Sequence, residues 1–338
     1  MLNTIWFIVL AIMLTGYAVL DGFDLGAGTL HLWLGRNAAE RSQVIDAIGP
    51  VWNGNEVWLL AAGGAMVAAF PHVYAASFSG FYLALMLVLW LLLLRGIAIE
   101  FRHQLHHPMW HDAWDVVLNV ASALLALLFG VAVGNVLRGL PIDADGNFVG
   151  TFTLMLNPFA VIGGLLSVSI LALHGAQFVA LKTEAPVRDR ARQAAAALWW
   201  ITALLLMLMV AASFVVRADF TVNFARWPWL FAAPVLAIAA AALLLKYQRE
   251  RNDLRAFLAS AAWIAGILVS VAAGLYPRLL PALAGSAHPG LDIYNAASPE
   301  NSLRIALGIY LFGMTLVAIY LLNIYRIWRG KVRESVYH

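Results

Sequence analysis

Stretches of about 20 residues without an acidic or basic side chain return along the whole chain, and no other feature limits the fold as much. Wound as a helix at about 1.5 Å per residue, one such stretch covers the roughly 30 Å hydrocarbon core of a bilayer. Inside lipid every backbone N–H and C=O must find a partner within the protein, so only helices and closed barrels can span it. A barrel strand alternates apolar and polar residues, and runs such as Leu83–Leu94 do not alternate. The chain therefore reads as an all-α polytopic membrane protein. Its composition agrees: 63% of its 338 residues are hydrophobic and 12% charged, against roughly 25% charged in soluble domains. A soluble single-domain enzyme is excluded.

Nine spanning segments are expected, over residues 4–34, 50–70, 74–96, 114–137, 157–181, 196–216, 229–246, 256–276 and 304–326. The loops after the first, third, fifth and seventh segments, with the C-terminal tail, hold sixteen of the 21 lysines and arginines, among them Arg36, Arg102, Lys182, Arg249 and Arg333. The loops at the other end hold the remaining five: Arg138, Arg217, Arg226, Arg278 and Arg304. Positive charge gathers on the cytoplasmic side, which predicts an outside N-terminus and a cytoplasmic C-terminus. A missed or extra helix would scramble this alternation. The first basic residue is Arg36, so the start has no basic region of a signal peptide, and the first apolar run is expected to stay in the mature protein. The connections are short, and the chain reads as one membrane domain, 1–338.

Polar groups at membrane depth are costly, so they carry the functional signal. Asp21 and Asp24 are three residues apart and share one face of the first segment. They read either as carboxylates paired to a neighbouring helix, for instance to Arg95, or as part of a proton or cation path. Asn53 and Glu56, at the start of the second segment, reach a similar depth; Asn53 with Glu56 three residues on also fits a helix cap. Three acids close together raise one another's proton affinity, which suits proton carriage. His174 and Gln177 share a face of the fifth segment and read as a relay, a haem ligand or hydrogen-bonded packing. The cluster His103, His106, His107 and His111 looks like a metal site by composition, yet Pro108 breaks any helix there and a solvated loop is the expectation. Asp115, at the foot of the fourth segment, is placed to pair with Arg95 or Arg102. The absence of cysteine removes disulfides, iron–sulfur clusters and thiolate-ligated haem.

The runs Leu20-Asp21-Gly22-Phe23-Asp24, Pro50-Val51-Trp52-Asn53-Gly54-Asn55-Glu56-Val57-Trp58, Phe78-Ser79-Gly80-Phe81-Tyr82, Arg95-Gly96, Trp114-Asp115 and Leu156-Asn157-Pro158-Phe159 together resemble subunit II of the bacterial cytochrome bd-type quinol oxidases. The resemblance covers the whole chain, is strongest in its first 185 residues, and the short length is similar to the cyanide-insensitive members. It implies two four-helix bundles (1–137 and 157–276) plus a peripheral helix (304–326). It implies a tight complex with subunit I, which in the family binds haem b and haem d (or a further haem b), oxidises quinol and reduces oxygen, and it leaves room for a small single-helix subunit. Subunit II then ligates no haem and no metal, contributes no catalytic residue, and lines a proton uptake path in the bacterial inner membrane. The resemblance puts Asp21, Asp24 and the position of Asn53 on that path; Trp52, Trp58, Arg95 and Asp115, with His174 and Gln177, are candidates for relay or packing. Where the family has an acid this sequence has Asn53, which carries no proton; Glu56, one turn on, is the expected replacement, with water bridging at Asn53 as the alternative. A proton- or cation-coupled transporter and a stand-alone b-type cytochrome are the competing readings. The first lacks visible inverted repeats, the second lacks histidines.

Overall fold

Asparagine caps and prolines decide where several helices begin. In the computed structural model, which describes residues 1–283, 286 and 289–332, the side chains of Asn37, Asn157 and Asn252 accept the backbone N–H three residues on. Each thereby satisfies a donor that the first helical turn leaves free. Pro71, Pro108 and Pro158 stand at first-turn positions, where a missing N–H costs nothing.

The helices are α1 (Leu2–Leu34), α2 (Ala38–Ile48), α3 (Trp52–Ala69), α4 (Pro71–Gly80), α5 (Tyr82–Phe101), α6 (Pro108–Arg138), α7 (Phe152–Met155), α8 (Pro158–Lys182), α9 (Val187–Val216), α10 (Val222–Arg226), α11 (Ala232–Arg249), α12 (Asp253–Leu275) and α13 (Glu300–Ile327). Among the described residues eight helices are long and apolar enough to cross a membrane: α1, α5, α6, α8, α9, α11 with the turn before it, α12 and α13. The expected second segment is present as α3, but its polar first turn, Asn53 to Glu56, keeps it out of that group. The expected third segment, 74–96, is divided. Residues 71–80 form α4, Phe81 interrupts the helix, and α5 carries the span onward to Phe101. Hydropathy could not show this break, because the residues on both sides of it are apolar.

α1 is the central element. It lies against α3, α6, α8 and α12, and α8 in turn packs on α6, α9 and α12. Two glycines set the α1–α8 crossing: a methyl group at Gly26 would fall 1.8 Å from the Leu171 carbonyl oxygen, and one at Gly175 would fall 2.2 Å from the Ala27 nitrogen. Backbone touches backbone there, as small residues allow in membrane helices. α13 rests on α3 and α1 and leaves Ile305, Ile309 and Phe312 exposed; α5 exposes Leu83, Leu87 and Trp90. Apolar side chains on the outside suit lipid or a partner in the membrane, not water.

The end that carries most of the arginines is closed by α2, whose Val44, Ile45 and Ile48 are buried in one core cluster with Phe23, Phe178 and Val187. At the opposite end, strands β1 (Arg278–Pro281) and β2 (Gly290–Asp292) pair antiparallel, and Leu140 bridges to Ala282. This small cover packs Leu280, Leu291 and Ile293 onto Trp6 and Phe70. Neither α2 nor the strands show in the hydropathy of the sequence. Of the tail cations, Arg333 lies outside the described residues, as does part of the outer loop 277–303.

Candidate functional site

The helix spacing that puts Asp21 and Asp24 on one face of α1 turns both toward α3 and α5. Both are buried, at 0% and 1% exposure. α5 brings Arg95, itself 1% exposed, into end-on contact with Asp21: Nη2 donates to Oδ1 at 2.8 Å and Nη1 to Oδ2 at 2.9 Å. The same Nη2 donates to Glu56 Oε1 at 2.5 Å, so one guanidinium spans carboxylates from α1 and α3. The Glu56 side chain is 23% exposed and is the part of the cluster nearest to the surface of the chain.

Asp24 has a different partner. Asn55 Nδ2 donates to its Oδ2 at 2.7 Å, and the Tyr325 hydroxyl on α13 donates to Asn55 Oδ1 at 2.8 Å. Its second oxygen, Oδ1, is buried without a hydrogen-bond partner. Four elements thus meet here: α1, α3, α5 and α13. The expected group Asp21, Asp24, Glu56 and Arg95 is brought together. Asn53 is not, because it points to the exposed side of α3. Asn55 and Tyr325 take part although the sequence reading passed over them. Two residues along a helix is a turn of about 200°, so Asn53 and Asn55 cannot both face α1. Trp52 lies beside α5, its ring 3.1 Å from where a methyl group on Gly96 would sit, and Trp58 covers Gly16 of α1.

Asp115 forms a second cluster nearer the arginine-rich end, with Arg102 as its partner and not Arg95. Arg102 Nε donates to Oδ1 at 2.6 Å, Arg41 Nη1 to Oδ2 at 3.2 Å, and His31 Nε2 lies 2.7 Å from Oδ1. One carboxylate therefore ties together α1, α2, α5 and α6. His31, which sequence reasoning missed, is fully buried, as is Asp115. Of the loop histidines, His106 and His107 are exposed, and His103 is half-buried. Burial first, then the charge of Arg102, pushes His103 down to about 4. Among the described residues no group of three or more His, Asp or Glu side chains is placed to hold a metal ion.

His174 sits between α1, α8 and α12. Its Nε2 lies 3.0 Å from the Val19 carbonyl oxygen, its Nδ1 lies 2.6 Å from Ser260 Oγ, and its ring stacks on Phe257 at 4.8 Å. Gln177, on the same helix, is 2% exposed and its Nε2 has no hydrogen-bond partner.

The family profile described as cytochrome bd terminal oxidase subunit II matches residues 2–328, nearly the full chain. The chain belongs to the cytochrome bd terminal oxidase subunit II family. Among its relatives are the probable cytochrome oxidase subunit 2 of Haemophilus influenzae, 36% identical over 97% of this chain and 93% of that protein, and the cytochrome bd-I ubiquinol oxidase subunit 2 of Escherichia coli K12, 32% identical over 96% and 91%. The cytochrome bd ubiquinol oxidase subunit 2 of Bacillus subtilis is 33% identical over 90% and 89%. The fold is that of a chain of the bd oxidase from Geobacillus thermodenitrificans, with a TM-score of 0.79, 20% identity and coverage of 97% of this chain and 98% of that one. Membership of this oxidase family and the membrane-length helices make the chain a multi-pass subunit of the bacterial inner membrane. Both ring nitrogens of His174 face protein partners, which leaves that imidazole no nitrogen for a haem iron; His31 is held at Nε2 by Asp115, and its Nδ1 is buried without a hydrogen-bond partner.

Proposed function

We propose that this chain is the non-haem partner in a quinol:oxygen oxidoreductase, supporting a haem-bearing subunit I and lining a proton uptake path through Asp21, Asp24 and Glu56. The haem groups, b and d or b alone, and the quinol chemistry belong to the partner; the chain is not catalytic by itself. The observation that carries the proton path is Asp24, a fully buried carboxylate with one oxygen free of partners, one helical turn from Asp21, which a shared arginine links to the part-exposed Glu56. An ion-paired Asp21 alone would be satisfied by packing; the unpartnered Asp24 oxygen is a group that can take up a proton. In this reading α3 counts as the ninth span, and the N-terminus lies outside and the C-terminus in the cytoplasm. The helices group as two four-helix bundles, 1–137 and 157–276, with 304–326 peripheral.

The test is the purified two-subunit oxidase carrying Asp24→Asn. Turnover falls at least tenfold while haem content and subunit ratio stay at wild-type values, because shape and hydrogen bonding are kept and only the titrating group is lost. Normal turnover in both Asp24→Asn and Glu56→Gln would overturn the proton path. Failure to co-purify any haem-bearing subunit would favour the transporter reading.

A further inference from the structure

The C-terminal end of α13 and the segment that follows it are fastened to the end of α8. Lys182 Nζ donates to the Trp328 carbonyl oxygen at 2.5 Å, and the Val332 backbone N–H donates to the Lys182 carbonyl oxygen at 2.8 Å. Between this strap, the start of α3 and α8 lies a cavity of about 510 Å³. Its floor is apolar, the buried Val51 and Phe178, with Val332 and the exposed Ile327 beside them. Its rim is basic: Lys182, Arg329 and Lys331, and among the described residues no acidic side chain lines it. Lys331 lies 4.0 Å from Glu184, whose side chain is 75% exposed, a contact too long and too wet to neutralise it. Lys182 spends one of its three N–H groups on Trp328 and keeps two. Trp328 marks the level at which amphipathic rings sit, between lipid and water.

We infer that this cavity binds the headgroup of an anionic phospholipid, its phosphate between Lys182, Arg329 and Lys331 and the start of its acyl chains on the apolar floor. Three cations around an apolar hollow at the membrane boundary match a group that is negative at one end and apolar at the other. A zwitterionic lipid brings an ammonium that the same rim repels. A free phosphate gains nothing from Val51, Phe178, Ile327 and Val332. The cavity also touches the site described above: Tyr325, in its wall, lies one turn before Trp328 and holds Asn55 against Asp24. A bound lipid braces the end of α13 and, with it, that hydrogen bond. The binding itself does not depend on the proton-path reading.

The experiment uses the intact purified oxidase, stripped of lipid by detergent exchange and titrated with phosphatidylglycerol or phosphatidylcholine of the same acyl chains, with bound lipid counted by native mass spectrometry. Wild type retains one more phosphatidylglycerol than Lys182→Gln/Arg329→Gln/Lys331→Gln, and affinity falls roughly fivefold for each charge removed. Phosphatidylcholine binding is the same in both. A photoactivatable phosphatidylglycerol, applied to the wild-type complex, gives adducts on 178–182 or 327–332, which tests the site without any substitution. Equal phosphatidylglycerol retention by the two proteins, or adducts absent from both segments, would overturn the proposal. So would cross-linking of Lys182 to an acidic side chain of the other subunit, since a protein segment would then fill the cavity.

Discussion

Arg95 meets Asp21 end-on, both terminal nitrogens of the guanidinium on both carboxylate oxygens, at 2.8 and 2.9 Å, with each residue at 1% exposure or less. Such a pair is strong in geometry yet expensive in desolvation, and its two halves need each other more than the fold needs the pair. Removing one partner strands a charge where no water can reach it. Arg95 also holds Glu56, so losing it strands two carboxylates, one of them fully buried.

The first prediction follows from that asymmetry. Arg95→Gln lowers the stability of the complex by roughly 3–5 kcal/mol, and Arg95→Lys rescues only part of it, because a lysine cannot make the two-pronged contact. Asp21→Asn costs less, because Glu56 still pairs with the arginine. Thermal unfolding of the detergent-solubilised complex and the yield of both subunits measure this. Stability within about 0.5 kcal/mol of wild type in both Arg95 variants would show that the pair carries no structural weight.

The two asparagines of α3 separate by role. Asn55→Leu removes the donor to Asp24 and the acceptor for Tyr325 together, leaving a buried carboxylate and a part-buried hydroxyl without these partners. The expected cost is roughly 2–4 kcal/mol, at about 1–3 kcal/mol per stranded group. Asn53→Asp, on the exposed side of the helix, leaves stability and turnover near wild type. The pair of variants, compared by melting temperature and oxygen consumption, fails the prediction if Asn53→Asp is the more damaging.

How much of this was legible beforehand depends on how local each signal is. Asp21, Asp24 and the pairing of Asp21 to Arg95 could be read, because an acid in an apolar run announces itself and few basic residues lie at that depth; that Asp24 takes Asn55 in place of the arginine could not. The extents of α1, α6, α8, α12 and α13 followed from hydropathy to within a few residues, apart from six at the start of α6. The side of α3 that faces α1 could not be read: polar residues fall on both sides of it, and the choice between Asn53 and Asn55 is made by packing. Tyr325 is 270 residues from Asn55, and no local pattern connects them. His31 was hidden for the opposite reason, since a single histidine near a helix end is ordinary until Asp115 and Arg102 arrive from other helices. The same holds for the break at Phe81, where both flanking runs are apolar and only the fold shows the interruption.

A third prediction concerns the α1–α8 crossing. Gly26→Ala places a methyl group 1.8 Å from the Leu171 carbonyl oxygen, a backbone atom that cannot move aside as a side chain would. The helices must part, at a cost of roughly 1–3 kcal/mol or more. Because Asp24 and the Ala27–Gly175 contact lie within the same turn, the shift also loosens the acid cluster. Reduced accumulation and a lowered melting temperature are expected. Gly63→Ala, where a methyl group has nothing within 4 Å, serves as the control and stays at wild-type values.

Asp46 gives a prediction in pH. It lies on α2, outside the spanning segments, at 7% exposure, and neither carboxylate oxygen has a partner. Burial pushes it up to about 6, with the charge of Arg102 pulling the other way. The unfolded chain titrates this group near the ordinary carboxylate value of about 4. The folded state therefore holds the proton more tightly, and the sign follows: the contribution of Asp46 to stability is full below pH about 4 and is lost as pH rises to about 6. Asp46→Asn removes this slope, so the variant gains on wild type as pH rises from about 4 to 6, by at most roughly 2–3 kcal/mol. Melting temperatures across that range check it. Parallel curves for the two proteins would mean that Asp46 does not titrate there.

The last prediction concerns His174, which the sequence leaves open between haem ligand, relay and packing. The Val19 carbonyl can only accept, so Nε2 carries the ring proton; the Ser260 hydroxyl, 2.6 Å from Nδ1 and 2.7 Å from the Phe257 carbonyl oxygen, has one proton for those two acceptors. The ring clamps α1 and α12 to α8 while stacking on Phe257. His174→Ala removes the link to the Val19 carbonyl, which keeps its own helical hydrogen bond, and leaves a gap beside Phe257. The loss is roughly 2–4 kcal/mol, combining a lost hydrogen bond with a cavity. His174→Gln, which can still donate to Val19, recovers part of that. Neither variant changes the haem spectrum per assembled complex, because no ring nitrogen is free to bind iron. A haem band lost in His174→Ala at an unchanged subunit ratio would contradict this and make the ring a ligand. Turnover that fell in both variants at unchanged stability would instead assign it to the relay.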